Sequence, residues 1–170
     1  MDERKYYLCE LLLDRRRLYV VWYSDEVDGL VRSKDGKIAS FADERQVRAF
    51  CRENGLSLML EPPAVYDFDK MAMWCDSPAS GSIEPTAFLN AWNMLEDAHG
   101  SRLDAHLHDI SPQRAGKIYD KLFFANNLPA VTPRGASYEP IWSEGEIELL
   151  SRIYRFGLAE LRAGIQNISH

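Results

Sequence analysis

The spacing of hydrophobic residues predicts a sheet of short strands in the first third of the chain. Two apolar and aromatic runs, residues 6–13 and 18–23, are separated by four charged residues, which indicates a β-hairpin. A second hairpin is expected around Asp35-Gly36, because Asp-Gly readily adopts the positive φ angles of a tight turn. Its strands would be residues 29–32 and 37–41.

The pattern then changes to a helix and a further strand. Residues 43–54 have a helical period, with Gly55 as a suitable C-terminal stop. Residues 56–60 are expected to form a strand that ends before Pro62-Pro63, because proline cannot continue a hydrogen-bonded ladder. The first 62 residues therefore predict an antiparallel sheet of two hairpins and a further strand, with one helix across it.

About four helices are predicted in the rest of the chain. Their starts are marked by capping residues or by proline in the first turn. The last has the spacing of a capping box, Ser143 and Glu146, and an apolar face that continues to Ile165. The four predicted helices begin at Asp67, Pro85, Pro112 and Ser143. Residues 126–140 are expected to form a long loop.

These elements predict an α+β fold in which the N-terminal antiparallel sheet packs against the C-terminal helices. The length of 170 residues fits one domain over residues 1–170, with a β-rich half, 1–62, and a helical half, 65–166. Neither a membrane span nor a secretory signal is expected, and three scattered cysteines favour a reducing cytoplasm.

The negative charge is concentrated in the middle of the chain. Residues 57–110 contain two basic residues against nine acidic ones, a net charge of −7, whereas the whole chain has −6. Such a field repels nucleic acid and anionic lipid and attracts cations or a basic partner. A merely solubilising acidic surface is the alternative explanation.

The motifs for catalysis are weak. Asp104, His106 and His108 are the best candidate for zinc or iron, but two histidines at i and i+2 diverge on a helix. Acidic neighbours of Cys75 would raise its thiol pKa rather than activate it. We therefore expect no enzyme activity, metal or other cofactor, with a small metal-dependent enzyme as the alternative.

Several segments of the C-terminal 100 residues carry a family resemblance. They are Tyr66-Asp-Phe-Asp-Lys, Trp74, Leu89-Asn-Ala-Trp-Asn-Met-Leu-Glu-Asp, Tyr119-Asp-Lys-Leu-Phe-Phe-Ala-Asn-Asn-Leu-Pro, Thr132-Pro and Tyr138-Glu-Pro-Ile-Trp-Ser. In these segments the chain resembles small bacterial immunity proteins of polymorphic and contact-dependent toxin systems. The resemblance implies a cytosolic, non-catalytic inhibitor that binds one cognate toxin domain, often a nuclease.

Charge and resemblance together predict that acidic residues of the middle segment cover the basic cleft of a toxin. Nucleases bind phosphate and so have basic clefts, and an acidic surface speeds their encounter. A regulatory domain that binds another basic protein remains an alternative. The predicted partner-binding residues are Asp67, Asp69, Trp74, Asp76, Glu84, Glu96, Asp97, Asp104 and Asp109.

Overall fold

The first predicted hairpin is present. In the computed structural model, which describes residues 4–167, β1 (Lys5–Leu13) pairs antiparallel with β2 (Arg16–Ser24). The register pairs Leu13 with Arg16, so the turn consists of two residues, Asp14 and Arg15. Both have positive φ, 53° and 59°, as a two-residue turn that follows the twist of the strands requires.

The second predicted hairpin is also present, but its strands are short. β3 (Gly29–Leu30) adds antiparallel to β2, and β4 (Ile38–Ser40) follows a turn in which Gly36 has φ +83°. One antiparallel bridge, Arg32 to Ile38, joins the two arms. β4 then pairs in parallel with β6 (Ile165–Asn167), so the far end of the described chain closes against this hairpin.

The further strand lies in a different place from the predicted one. After α1 (Glu44–Glu53), residues 56–60 form only one bridge, between Leu58 and Tyr6. The regular strand is β5 (Ala64–Asp67), which follows the two prolines and runs parallel to β1. The prolines supply no N–H. The apolar run before them joins the core only in part: Leu56 and Leu58 pack against a buried cluster that includes Val47, whereas Leu60 is 97% exposed. The resulting sheet order is β3-β2-β1-β5, a mixed sheet.

The four predicted C-terminal helices are confirmed, and with them the α+β class. They are α2 (Phe68–Asp76), α3 (Pro85–His99), α4 (Pro112–Ala125) and α5 (Glu144–Gly164), with 3₁₀ turns at Ser80–Ser82 and Leu103–His106. Within residues 4–167, no helix has the length and apolar character needed to cross a membrane.

Both faces of the sheet are buried. Alternate residues of the hairpin, such as Leu11 and Val20, enter the larger hydrophobic cluster with α2–α5. Leu8 and Val21, which are paired across the hairpin on the opposite face, enter a smaller cluster with Val47 of α1. α3 is thereby held between the sheet and the other helices. It contacts β3 and β5, and Trp22 of β2 is hydrogen-bonded to it.

Candidate functional site

Three of the predicted carboxylates are used in local structure. Asp67 caps α2 by accepting a hydrogen bond of 2.9 Å from the backbone N–H of Lys70. Glu84 forms an ion pair of 2.8 Å with the same lysine. Asp69 accepts bonds of 2.7 and 2.9 Å from the backbone N–H groups of Asp14 and Arg15, in the β1–β2 turn.

Two more predicted carboxylates are paired with arginine. Asp104 is only 3% exposed, and both its oxygens accept hydrogen bonds from Arg102, at 2.8 and 3.1 Å. Asp109 binds Arg152 of α5 through two bonds, and the arginine lowers the pKa of this carboxyl. Their charge is partly compensated before any partner arrives.

Trp74 does not have the exposed position expected of a partner-binding anchor. Its side chain is buried, in edge-to-face contact with Phe88 and Tyr154, and its indole N–H donates to the carbonyl of Ala79 at 3.1 Å. The helical spacing of Phe68, Met71 and Trp74 follows from this burial, because all three enter the core.

Glu96 and Asp97 lie in an acidic concavity of about 430 Å³ beside α3. The N-terminal third contributes Asp28 to this concavity, a residue that the charge count did not single out. Asp28 belongs to the turn before β3, where its carboxylate accepts a bond of 3.2 Å from the N–H of Asp25. Of the described residues that line the concavity, none is lysine or arginine; they are Trp22, Asp28, Tyr66, Asn90, Asn93, Met94, Glu96 and Asp97.

The electrostatics of this acidic concavity favour a cation. Burial raises the pKa of Asp97, and the nearby charges of Asp28 and Glu96 raise it further. The indole N–H of Trp22 opposes this by donating a bond of 2.8 Å to the carboxylate. A cation placed here would relieve both the burial of the Asp97 charge and the repulsion among the three carboxylates.

A second concavity, of about 450 Å³, adjoins the acidic one and is mainly apolar. Tyr66 and Asn90 line both, so the two form one continuous surface along α3, β5 and α2. The apolar concavity includes the exposed side chains of Val65 (59%) and Met73 (73%). Asp76, the remaining predicted residue, is exposed at the end of α2 and lines neither concavity.

The metal alternative is not supported by the arrangement of its three residues. The 3₁₀ turn at Leu103–His106 directs Asp104 inward to Arg102 and leaves His106 at the surface, where its ring stacks on Phe156. His108 is exposed two residues further on. Across residues 4–167, no three His, Cys, Asp or Glu side chains converge in a manner that could hold a metal ion.

The cysteine thiols are buried rather than reactive. Burial raises the pKa of Cys9 to about 12 and raises that of Cys75 as well. For Cys75, the acidic neighbour Asp76 adds only the smallest contribution, so burial is the main cause of the raised pKa. Both thiols are therefore protonated at neutral pH.

Comparison with known proteins identifies a similar fold but no family. No protein-family model and no curated protein matched the chain. Among solved structures, the chain is similar to the SatS C-terminal domain, which was crystallised in complex with bromine. That structure shares 11% identity with a TM-score of 0.50, over 96% of this chain and 94% of that one. The likeness concerns the fold alone.

Proposed function

We propose that this chain is a cytoplasmic immunity protein that binds and neutralises a cognate toxin domain, a nuclease with a basic cleft. The observation that carries the proposal is the concavity in which Asp28, Glu96 and Asp97 gather with no basic residue among its described lining residues. Nucleases need basic side chains to bind phosphate, and an arginine or lysine of such a cleft fits this concavity. The same charge disfavours nucleic acid and anionic membranes as partners.

The partly buried position of the carboxylates makes the contact stronger than an open surface would. Charge pairs gain energy as solvent is excluded, and Asp97 is already partly removed from water. The free-energy cost of this desolvation is part of folding, so binding of the partner does not incur it again. The concavity is therefore preorganised for a cation.

The adjoining apolar concavity supplies a second contact. An apolar or aromatic side chain next to the basic residue of the toxin would enter beside Val65 and Met73. Interface energy concentrates in such filled, water-excluding pockets, whereas rim charges mainly affect the association rate. Of the residues predicted to bind the partner, Glu96 and Asp97 line the acidic concavity, and Asp67, Trp74 and Glu84 line the apolar one. Both concavities leave out Asp69, Asp76, Asp104 and Asp109, so the proposed surface is smaller than the one expected from the sequence.

The test compares two triple variants that change the net charge equally. Asp28→Asn, Glu96→Gln and Asp97→Asn together neutralise the concavity while keeping hydrogen-bond acceptors. The control neutralises three exposed carboxylates outside both concavities, Glu53→Gln, Glu139→Gln and Glu148→Gln. Association with a candidate nuclease toxin domain is then measured by stopped flow at low and high salt.

The concavity variant should associate roughly tenfold more slowly or worse at low salt and lose most of its salt dependence, whereas the control should stay close to the parent protein. Equal rates for the two triple variants would contradict the proposal. Protection of cells that express the toxin distinguishes an immunity protein from a regulatory domain that binds another basic protein. A parent chain that gives no protection would favour the regulatory alternative.

A further inference from the structure

Two histidines that are seven residues apart in sequence face each other at the end of α3. His99 is the last residue of the helix, and Gly100, with φ +84°, turns the chain into the 3₁₀ segment that contains His106. Their Nε2 atoms are 3.0 Å apart, and the hydroxyl oxygen of Ser101 lies 3.1 Å from Nε2 of His106. The two rings are thus hydrogen-bonded through their Nε2 atoms, and the Ser101 hydroxyl lies beside the same nitrogen of His106.

The spacing of these atoms is close to that of ligands on one metal ion. Zinc–nitrogen bonds of 2.0–2.1 Å at a tetrahedral angle place two nitrogens about 3.3 Å apart. The observed 3.0 Å is a hydrogen bond between the two rings. A metal ion would take the place of its proton, with a small increase in the distance and a rotation of both rings toward the ion. Both rings pack on Phe156, which keeps them close together. His106 stacks on it at a centroid distance of 5.4 Å, and His99 contacts it edge-on at 5.6 Å.

A carboxylate supports the outer nitrogen of His99. Oε2 of Glu160 in α5 lies 3.4 Å from Nδ1 of this ring. A proton on Nδ1 would face the carboxylate and leave the lone pair of Nε2 directed at His106. Metal-binding histidines commonly have such a carboxylate behind them, because it fixes the tautomer and raises the basicity of the ligand nitrogen.

We propose that His99 and His106 form a surface site for a divalent transition metal of the zinc, nickel and copper class. Imidazole suits these ions, and the Ser101 hydroxyl adds a weaker third donor. Two imidazoles and one hydroxyl leave coordination positions open to water or to a group from another molecule. No metal was expected from the sequence, and the alternative was a site of Asp104, His106 and His108. The proposed pair uses His99 in place of Asp104 and His108.

Zinc titration of the tag-free protein by calorimetry tests the site. The parent should bind one zinc ion per chain, and His99→Ala and His106→Ala should lose measurable binding. Glu160→Gln should weaken binding roughly tenfold or more, because it removes the support behind His99 without removing a ligand. His108→Ala is the matched control and should bind zinc as the parent does, because His108 belongs to the same segment but is not part of the pair.

Imidazole nitrogen NMR gives a readout that does not depend on the variants folding well. In the unmodified chain, zinc should shift the resonances of His99 and His106 together and leave those of His108 in place. Circular dichroism of each variant shows whether the helices persist. A parent protein that binds no zinc, or a zinc affinity that His108→Ala changes as much as His99→Ala does, would overturn the proposal.

Discussion

The indole of Trp22 donates a hydrogen bond of 2.8 Å to the carboxylate of Asp97, across 75 residues of sequence. The bond joins β2 to α3 at the edge of the acidic concavity, and Tyr7 packs on the same indole with ring centroids 5.3 Å apart. It compensates part of the cost of holding a charge in a half-buried position. The same contact therefore serves both the packing of the helices on the sheet and the electrostatics of the candidate site.

Removal of the indole donor should destabilise the protein through Asp97. Trp22→Phe keeps an aromatic ring beside Tyr7 but leaves the carboxylate without this bond, and we expect a loss of about 1–3 kcal/mol in the free energy of unfolding. Urea denaturation at neutral pH measures it. In a double-mutant cycle with Asp97→Ala, which removes the acceptor, the two changes should not add, because both act on one bond. Full additivity would show that the loss comes from packing alone.

The raised pKa of Asp97 predicts how stability changes with pH. Because the folded state binds this proton more tightly than the unfolded state, the contribution of Asp97 to the unfolding free energy falls as pH rises from about 4 through the raised pKa. Asp97→Asn lacks this term, so its stability relative to the parent protein should increase over the same pH interval. Urea denaturation of both proteins from pH 3 to pH 7 measures the difference.

If the stability of Asp97→Asn relative to the parent stays constant or decreases as the pH rises, the raised pKa of Asp97 is contradicted. The matched control is Asp109→Asn, because Arg152 lowers the pKa of Asp109. Its stability relative to the parent should change in the opposite direction, falling as the pH rises past the lowered pKa of Asp109.

The elements with local signals were predictable from the sequence, and those that depend on distant partners were not. The capping box at Ser143 and Glu146 and the turn glycine Gly36 define their elements within a few residues. β5 has no comparable signal, because its pairing with β1 depends on a strand edge more than 50 residues away. Its four residues are too few for a pattern, and β6 is similar, with three residues paired to β4.

The acidic character of the middle segment was visible in the sequence, but its distribution in space was not. A count of charges treats Asp97 and Asp109 alike. In the fold, Asp109 binds Arg152, which lies 43 residues after it, whereas Asp97 accepts a hydrogen bond from the neutral indole of Trp22. Likewise, Asp28 joins the concavity because β3 adds to the sheet beside β2. Both facts are consequences of tertiary packing, which composition does not report.

Gly157 in α5 is required by close packing, although the sequence suggests only a weak point in a helix. A Cβ atom there would lie 2.9 Å from Cδ1 of Leu95 and 3.0 Å from Cδ1 of Leu103. Gly157→Ala should gain roughly 1 kcal/mol in helix propensity but lose typically about 1–3 kcal/mol to overpacking, so we expect net destabilisation. Thermal unfolding measures the change.

Gly116 in α4 is the matched control for this substitution. Apart from its chain neighbours and the nearby backbone of its own helix, no atom of the described residues lies within 4 Å of the position that its Cβ would take. Gly116→Ala should therefore stabilise the protein by about 0.5–1 kcal/mol. Equal effects at the two positions would show that the α3–α5 contact relaxes without cost.

Asp69 and Asp76 are both carboxylates of α2, but Asp69 has a structural role and Asp76 lies at the surface. Asp69 accepts two backbone N–H groups of the β1–β2 turn, at residues 14 and 15, whose positive φ angles the side chain helps to hold. Asp69→Ala should therefore cost about 1–2 kcal/mol, as the loss of a helix cap does. Asp76→Ala, at an exposed position at the end of α2, should change stability by no more than about 0.5 kcal/mol.

Amide hydrogen exchange distinguishes a local cause from a general one for the Asp69 substitution. The N–H groups of Asp14 and Arg15 should lose protection in Asp69→Ala, because the carboxylate is their acceptor, and they should keep it in Asp76→Ala. If Asp69→Ala has the stability of the parent, the turn is held by the strands alone. Asp69 would then be free to serve the partner-binding role that its sequence position first suggested.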